Sequence, residues 1–321
     1  MTTTTAPTAA TAQRILDEVS RVVVGKRDVV ESVLQGIVAG GHILIEDLPG
    51  LGKTLIARSL AAATGLDCTR VQFTPDLLPT DLLGATVYDP RTAELTFRPG
   101  PVFANLLLAD EINRTPPKTQ AALLEAMAER QVTVDGHTRP LPDPFVVLAT
   151  DNPIEYEGTY PLPEAQLDRF LLRVRIGYLP RQQEIALLAR RVATAPSQVR
   201  VDQVATPADL LALRAAADRV TVDTDLLGYL VDLLAATRTH ASVAVGASPR
   251  GGLALLQLAR AQAVLRGRDY VTPHDLKELA VPTLAHRLTL RPEMWVRRVT
   301  AEEIVTRILD SLPVPRTGSR P

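Results

Sequence analysis

The sequence predicts an α/β fold with a central parallel sheet, followed by a smaller all-helical domain. Three observations predict it. Up to about residue 195, short apolar runs alternate with helical patterns, as in a parallel sheet covered on both faces. A glycine-rich turn at residues 47–54 joins the first apolar run to a helix. Beyond about residue 180 the strand-length apolar runs stop and only helical patterns continue.

Taken in order, residues 1–12 are mostly Thr and Ala, with no basic segment and no apolar run. They do not read as a secretory signal and are expected to form a disordered tail. The Ile43–Glu46, Thr69–Gln72, Leu106–Ala109, Phe145–Thr150 and Leu171–Ile176 runs are short enough for buried strands. Helices are expected at 53–63, 116–130 and 163–168, and a hairpin at 131–140 around the turn pair Asp135-Gly136. The α/β domain so defined spans 13–193. Residues 194–206 lose periodicity and read as a linker. The helical domain covers 207–311, with helices at 207–219, 223–240, 249–266 and 273–286 after one at 181–193. The 273–286 helix opens on Thr272-Pro273, a cap followed by proline at the first helical position. Proline in 312–321 argues for a second frayed tail.

Composition excludes several functions. Lys plus Arg number 35 against 36 Asp plus Glu, a net charge of −1. No broad basic field is therefore available for nucleic acid or anionic lipid. Aromatics make up 4% of the chain, too few for base-stacking platforms. Cys68 is the single cysteine and the five histidines are far apart, which rules out an internal disulfide and a zinc cluster. No stretch approaches the ~18 consecutive apolar residues of a membrane span, and the expected location is the cytoplasm.

The chemistry lies in the motifs. In Asp47-Leu48-Pro49-Gly50-Leu51-Gly52-Lys53-Thr54, glycines let backbone N–H groups curl around anionic oxygens, and the helix that follows points its positive end at them. Lys53 can reach the outer phosphates of a nucleotide and the Thr54 hydroxyl can ligate Mg²⁺. Asp47 stands where the consensus G-x-x-x-x-G-K-[ST] has its first glycine. The Leu106–Ala109 run ends in Asp110-Glu111. There Asp110 suits Mg²⁺ and Glu111 suits a base that takes a proton from the attacking water. Asn152, after the third strand, either orients that water or caps the turn into Pro153. Arg169 either pairs with Asp168 or reaches a neighbouring subunit's γ-phosphoryl. Arg250 lies in the first turn of its helix, where the dipole does not favour a cation, so it either serves a ligand or is an ordinary surface residue.

Over about residues 13–310 these features resemble the MoxR family of AAA+ ATPases. The resemblance is carried by Val24-Gly25-Lys26, Glu46–Thr54, Phe97–Asn105 leading into Asp110–Gln120, Ala149–Pro153 with Glu157–Phe170, and Ser248-Pro249-Arg250. It implies a P-loop AAA+ domain followed by a helical lid. It also implies Mg²⁺-dependent ATP hydrolysis, with Val24, Gly25, Pro49, Gly50, Leu51, Gly52, Lys53, Thr54 and Leu55 at the nucleotide and Thr54 and Asp110 at the metal. Glu111 matches the Walker B base, Asn152 sensor 1, Arg169 the arginine finger and Arg250 sensor 2. Asp151 departs from the family, which more often has Gln there. Residues 74–100 fit the family's insert before the Walker B strand, which with the 131–140 hairpin would overlie the pore of a ring. A homo-oligomeric ring, taken as hexameric, is implied, with a chaperone-like role on a protein client and a partner carrying a von Willebrand factor A-type domain. Two other readings stand beside this one: a ring that binds ATP as a structural ligand with little turnover, and a DNA-acting motor, against which charge and aromatic content argue.

Overall fold

A computed structural model of the chain describes residues 5–48, 50–91, 93–152, 158–193 and 200–315. The first part comprises α1 (Thr5–Ser20), α2 (Arg27–Val38), β1 (His42–Glu46), α3 (Lys53–Thr64), β2 (Cys68–Gln72), α4 (Pro79–Leu83), β3 (Gly84–Asp89), β4 (Glu94–Pro99), β5 (Leu106–Asp110), α5 (Pro117–Glu129), β6 (Gln131–Val134), β7 (His137–Pro140), β8 (Val146–Asp151), α6 (Glu164–Leu167), β9 (Phe170–Val174) and α7 (Arg181–Ala193). The second comprises α8 (Pro207–Asp218), α9 (Thr224–Thr239), β10 (Val243–Val245), α10 (Pro249–Leu265), α11 (Pro273–Leu284), β11 (Thr289–Leu290), α12 (Pro292–Val296) and α13 (Ala301–Ser311).

Five parallel strands form the central sheet in the order β2-β5-β8-β1-β9. The middle strands are apolar over most of their length, with polar residues at their ends, because both faces are covered. Their side chains alternate between two cores. Ile43, Ile45, Leu106, Leu108, Val146 and Leu148 join one core; Leu44, Leu107, Ala109, Val147 and Ala149 join the other. Buried His42 ties the layers: the Val147 N–H donates to its Nδ1 (3.0 Å), and its Nε2 lies 3.0 Å from the Met127 carbonyl. Burial lowers its pKa to about 4, so the ring is neutral and structural.

The 74–100 region forms α4 and the β3–β4 hairpin, and β6–β7 pair around Asp135 (φ 51°) and Gly136 (φ 76°). Positive φ at both turn residues is what a type I′ hairpin needs.

One expectation is corrected and another gains a detail. Residues 5–12, assigned to a disordered tail, are the first turns of α1. Their alanines favour helix, and Ala12, Ile15, Leu16 and Val19 form a buried stripe at helical spacing. The second domain is helical as expected, with one short antiparallel pair, β10–β11, added to its helices. Each strand is too short to show alternation in sequence. Of the expected linker, 194–199 lies outside the described residues. The rest is fastened down: the Val204 and Ala205 N–H groups donate to the Ala63 carbonyl, and Asp202 N–H donates to Glu18 Oε1. In the second expected tail, 312–315 has no regular structure and 316–321 lies outside the described residues. Among the described residues no helix is long and apolar enough to cross a membrane.

Candidate functional site

Parallel strands collect ligand sites beyond their carboxyl ends. At that edge of β1, β5 and β8 lies a cleft of about 450 Å³. Gly50, Gly52, Lys53, Thr54 and Leu55 form one wall; Asp110, Glu111 and Asn152 form the other, with Arg70 and Gln72 from β2 beside them. Pro49 lies outside the described residues. Gly50 and Gly52 have φ of +84° and +91°, and a Cβ on either would meet nothing within 4 Å. The left-handed backbone requires glycine there, and the open space lets a bulky anion approach the N–H groups of the turn.

Lys53 opens α3 and is only 9% exposed. Its ammonium donates to the Asp47 carbonyl. Burial pushes its pKa down, while Asp47, Asp110, Asp151 and Glu111 pull it back up. Asp47 has a distinct task that explains the missing glycine. Its carboxylate accepts from the Leu48 N–H (2.8 Å) and from the Ile176 and Gly177 N–H groups (2.6 and 2.5 Å). Lys26 Nζ donates to the Ile176 and Tyr178 carbonyls, so the Val24–Lys26 turn, the segment after β9 and the phosphate loop are laced together. Val24 and Gly25 precede Lys26 in this turn and are not among the residues lining the cleft, and Leu51 packs against the larger core.

The carboxylate wall is organised by Thr150, which sequence reasoning did not single out. Its hydroxyl donates to Asp110 Oδ1 (2.6 Å) and accepts from the Glu111 N–H (2.8 Å). That bond helps hold Glu111 in the left-handed region (φ 59°, ψ 52°), which is costly for a residue with a side chain. Arg70 and Gln72 were also missed. Arg70 donates to Asp110 Oδ2 through Nη2 (2.7 Å) and Nε (3.1 Å), and Gln72 Nε2 donates to Glu111 Oε2 (2.7 Å). Arg114 Nε lies 3.0 Å from the same Glu111 oxygen. The available signal was two long polar side chains at i and i+2 on a strand of an otherwise buried sheet.

Thr54 and Asp110 bring oxygen donors to one cleft. Among the described residues no group of three or more His, Cys, Asp or Glu could cage a metal ion. This donor set fits Mg²⁺, which takes one or two protein oxygens and completes its shell with phosphate and water.

Asp151 sits opposite Glu46 in the β1–β8 register. Burial and the Glu46 charge push its carboxyl above the usual range, against hydrogen bonding to Asn152 and attraction to Lys53 and Arg173. A raised acid pKa means the ionised form costs stability above the folded-state value, and that this cost disappears below the unfolded value. Asp151→Asn is expected to raise Tm by a few degrees at pH 7.5. The gain should shrink toward zero as pH falls through the carboxylate range. A thermal melt series over pH checks this, and a gain independent of pH would contradict it.

Arg169 and Arg250 stand outside the cleft. Arg169 is exposed and its Nη1 donates to the Leu124 carbonyl (2.8 Å). Its neighbour Asp168 pairs elsewhere, with Arg287 Nε (2.8 Å) and Arg250 Nη1 (3.5 Å). Arg250 thus sits beside the carboxylate of the residue that precedes Arg169, and neither arginine is among the residues lining the cleft.

Residues 42–172 match the ATPase family associated with various cellular activities (AAA), and residues 235–308 match the AAA lid domain. The chain is 48% identical to YeaC, an uncharacterized protein of Bacillus subtilis, over 94% of each chain. It is 42% identical to the chaperone MoxR1 of Mycobacterium tuberculosis, over 97% of this chain and 84% of MoxR1. A crystal structure of a protein from Cytophaga hutchinsonii, assigned as an ATPase, superposes with a TM-score of 0.91 at 41% identity, covering 98% of this chain and 97% of that one.

Proposed function

Because the chain belongs to the MoxR family of AAA+ ATPases, we propose that it hydrolyses Mg²⁺-ATP in clefts shared between the subunits of a ring, taken as hexameric, and uses the cycle to remodel partner proteins. One observation carries the reading: the glycine turn with Lys53 and the Asp110–Glu111 pair face each other across a single cleft. The N–H groups of residues 50–54 hold the phosphates, with Lys53 exchanging the Asp47 carbonyl for a phosphate oxygen. Thr54 and Asp110 would hold Mg²⁺, which would supply charge neutralisation to the phosphates. Glu111, released from Gln72 and Arg114, accepts a proton from the attacking water, and Asn152 orients that water. Arg169 and Arg250, exposed and away from their own cleft, are suited to a neighbour's γ-phosphoryl.

The chaperone-like role on a protein client, and a partner with a von Willebrand factor A-type domain, rest on family resemblance and on the name of MoxR1. In Lys53→Ala the loss of a charged hydrogen bond is expected to weaken ATP binding by about 10- to 100-fold. Phosphate release at subsaturating ATP should fall with it. Titration with a fluorescent ATP analogue checks this; unchanged affinity would remove the nucleotide from this cleft.

A further inference from the structure

Asp168 lies at the meeting point of three elements: the corner between α6 and β9, the first turn of α10, and the short 3-10 turn Ala285–Arg287 that ends α11. Arg287 fills this junction, with a side chain only 3% exposed. Its Nε donates to Asp168 Oδ1 (2.8 Å), its Nη2 to the Phe170 carbonyl (2.7 Å), and its Nη1 to the Thr283 carbonyl (2.7 Å). All three nitrogens therefore have oxygen partners, drawn from both domains. His286 adds a second link, its Nε2 lying 3.2 Å from the same Phe170 carbonyl. A Cβ on Gly251 would lie 3.2 Å from Arg287 Cδ, so the start of α10 packs against the stem of this side chain.

A buried ion pair is a poor way to gain stability, because desolvation offsets most of the attraction. What distinguishes this pair is what it borders. Asp168 precedes Arg169 in the chain, and its free side, Oδ2, faces Arg250, whose side chain is 63% exposed. One half-buried carboxylate thus braces the backbone that carries one exposed arginine and provides the resting partner of the other. Lysine could not replace Arg287, since a single ammonium cannot span Asp168, Phe170 and Thr283 as the planar fork does.

We propose that the Asp168–Arg287 pair, with its buried guanidinium, is a positioning device that presents Arg169 and Arg250 as a unit to the neighbouring subunit's nucleotide. This rests on the shared-cleft reading above. Arg287 and Asp168 touch no substrate; they act through the two exposed arginines.

The test is subunit mixing. Arg287→Lys alone is expected to lower phosphate release by about 10- to 100-fold, the scale of a misplaced reacting group. Its affinity for a fluorescent ATP analogue should be unchanged, because the phosphate loop, Lys53 and Asp110 are untouched and the arginines act on charge that develops during phosphoryl transfer. Mixed in equal amounts with inactive Glu111→Gln subunits, which keep the arginine pair, it should recover about a quarter of the wild-type rate, since half the clefts are competent and half their neighbours are donors. Asp168→Asn, which preserves shape, should behave the same way. The control mixes Arg169→Ala with Glu111→Gln. If the control recovers and neither Arg287→Lys nor Asp168→Asn does, the pair does not act through the arginines and the proposal fails alone. If the control does not recover, shared clefts are wrong and the proposal falls with them.

Discussion

Glu111→Gln is expected to cut steady-state phosphate release by about 10²- to 10⁴-fold, the range for loss of a general base. The amide keeps the shape of the side chain but takes no proton. Binding of ATP should survive, because the phosphate loop and Asp110 are separate from this carboxylate. The local geometry sharpens the expectation. Glu111 is held in a left-handed conformation by Thr150 and gripped through one oxygen by Gln72 and Arg114, a degree of constraint that a merely solvated acid would not need. Equal rates for the variant and the wild type would sink the hydrolytic reading. They would leave the alternative in which ATP is a structural ligand of the ring.

Arg169→Ala is expected to cost still more, about 10³- to 10⁵-fold, or roughly 4–7 kcal/mol of transition-state stabilisation. The side chain is exposed and its visible partner is a single carbonyl, Leu124, so its removal should leave the fold undisturbed. Nucleotide affinity measured on the same sample separates the cases. A large loss of turnover with unchanged binding fits a residue acting on charge that develops during phosphoryl transfer. A loss below about tenfold would return Arg169 to the status of a surface cation.

Much of this was legible in the sequence, for physical reasons that differ by element. The middle strands were readable because two-sided burial leaves runs such as Leu106–Ala109 with no polar residue. The phosphate loop was readable because a left-handed backbone at Gly50 and Gly52 admits few alternatives. Thr150, Arg70 and Gln72 were not, because their importance lies in register: Gln72 faces Asp110 across β2 and β5, and no spacing along the chain announces that pairing. The first turns of α1 were missed because alanine and threonine resemble a linker until the surface that buries Ala12 and Ile15 is known. Arg250 was found as a residue, but its place beside Asp168 depends on how the second domain docks, which periodicity within one helix cannot report.

That docking has a mechanical consequence. Leu210, Leu255, Leu258, Leu276 and Ile304 of the second domain share one apolar core with Ile15, Val33 and Leu60 behind the sheet. Swinging the two apart would return that surface to water at about 25 cal/mol per Å², and would also break the carbonyl bonds of His286 and Arg287. Each protomer is therefore stiff, closer to a gear tooth than to a jaw. In the proposed ring, a stroke that accompanies the loss of a phosphate is then expected to be exported as a tilt of whole protomers against one another.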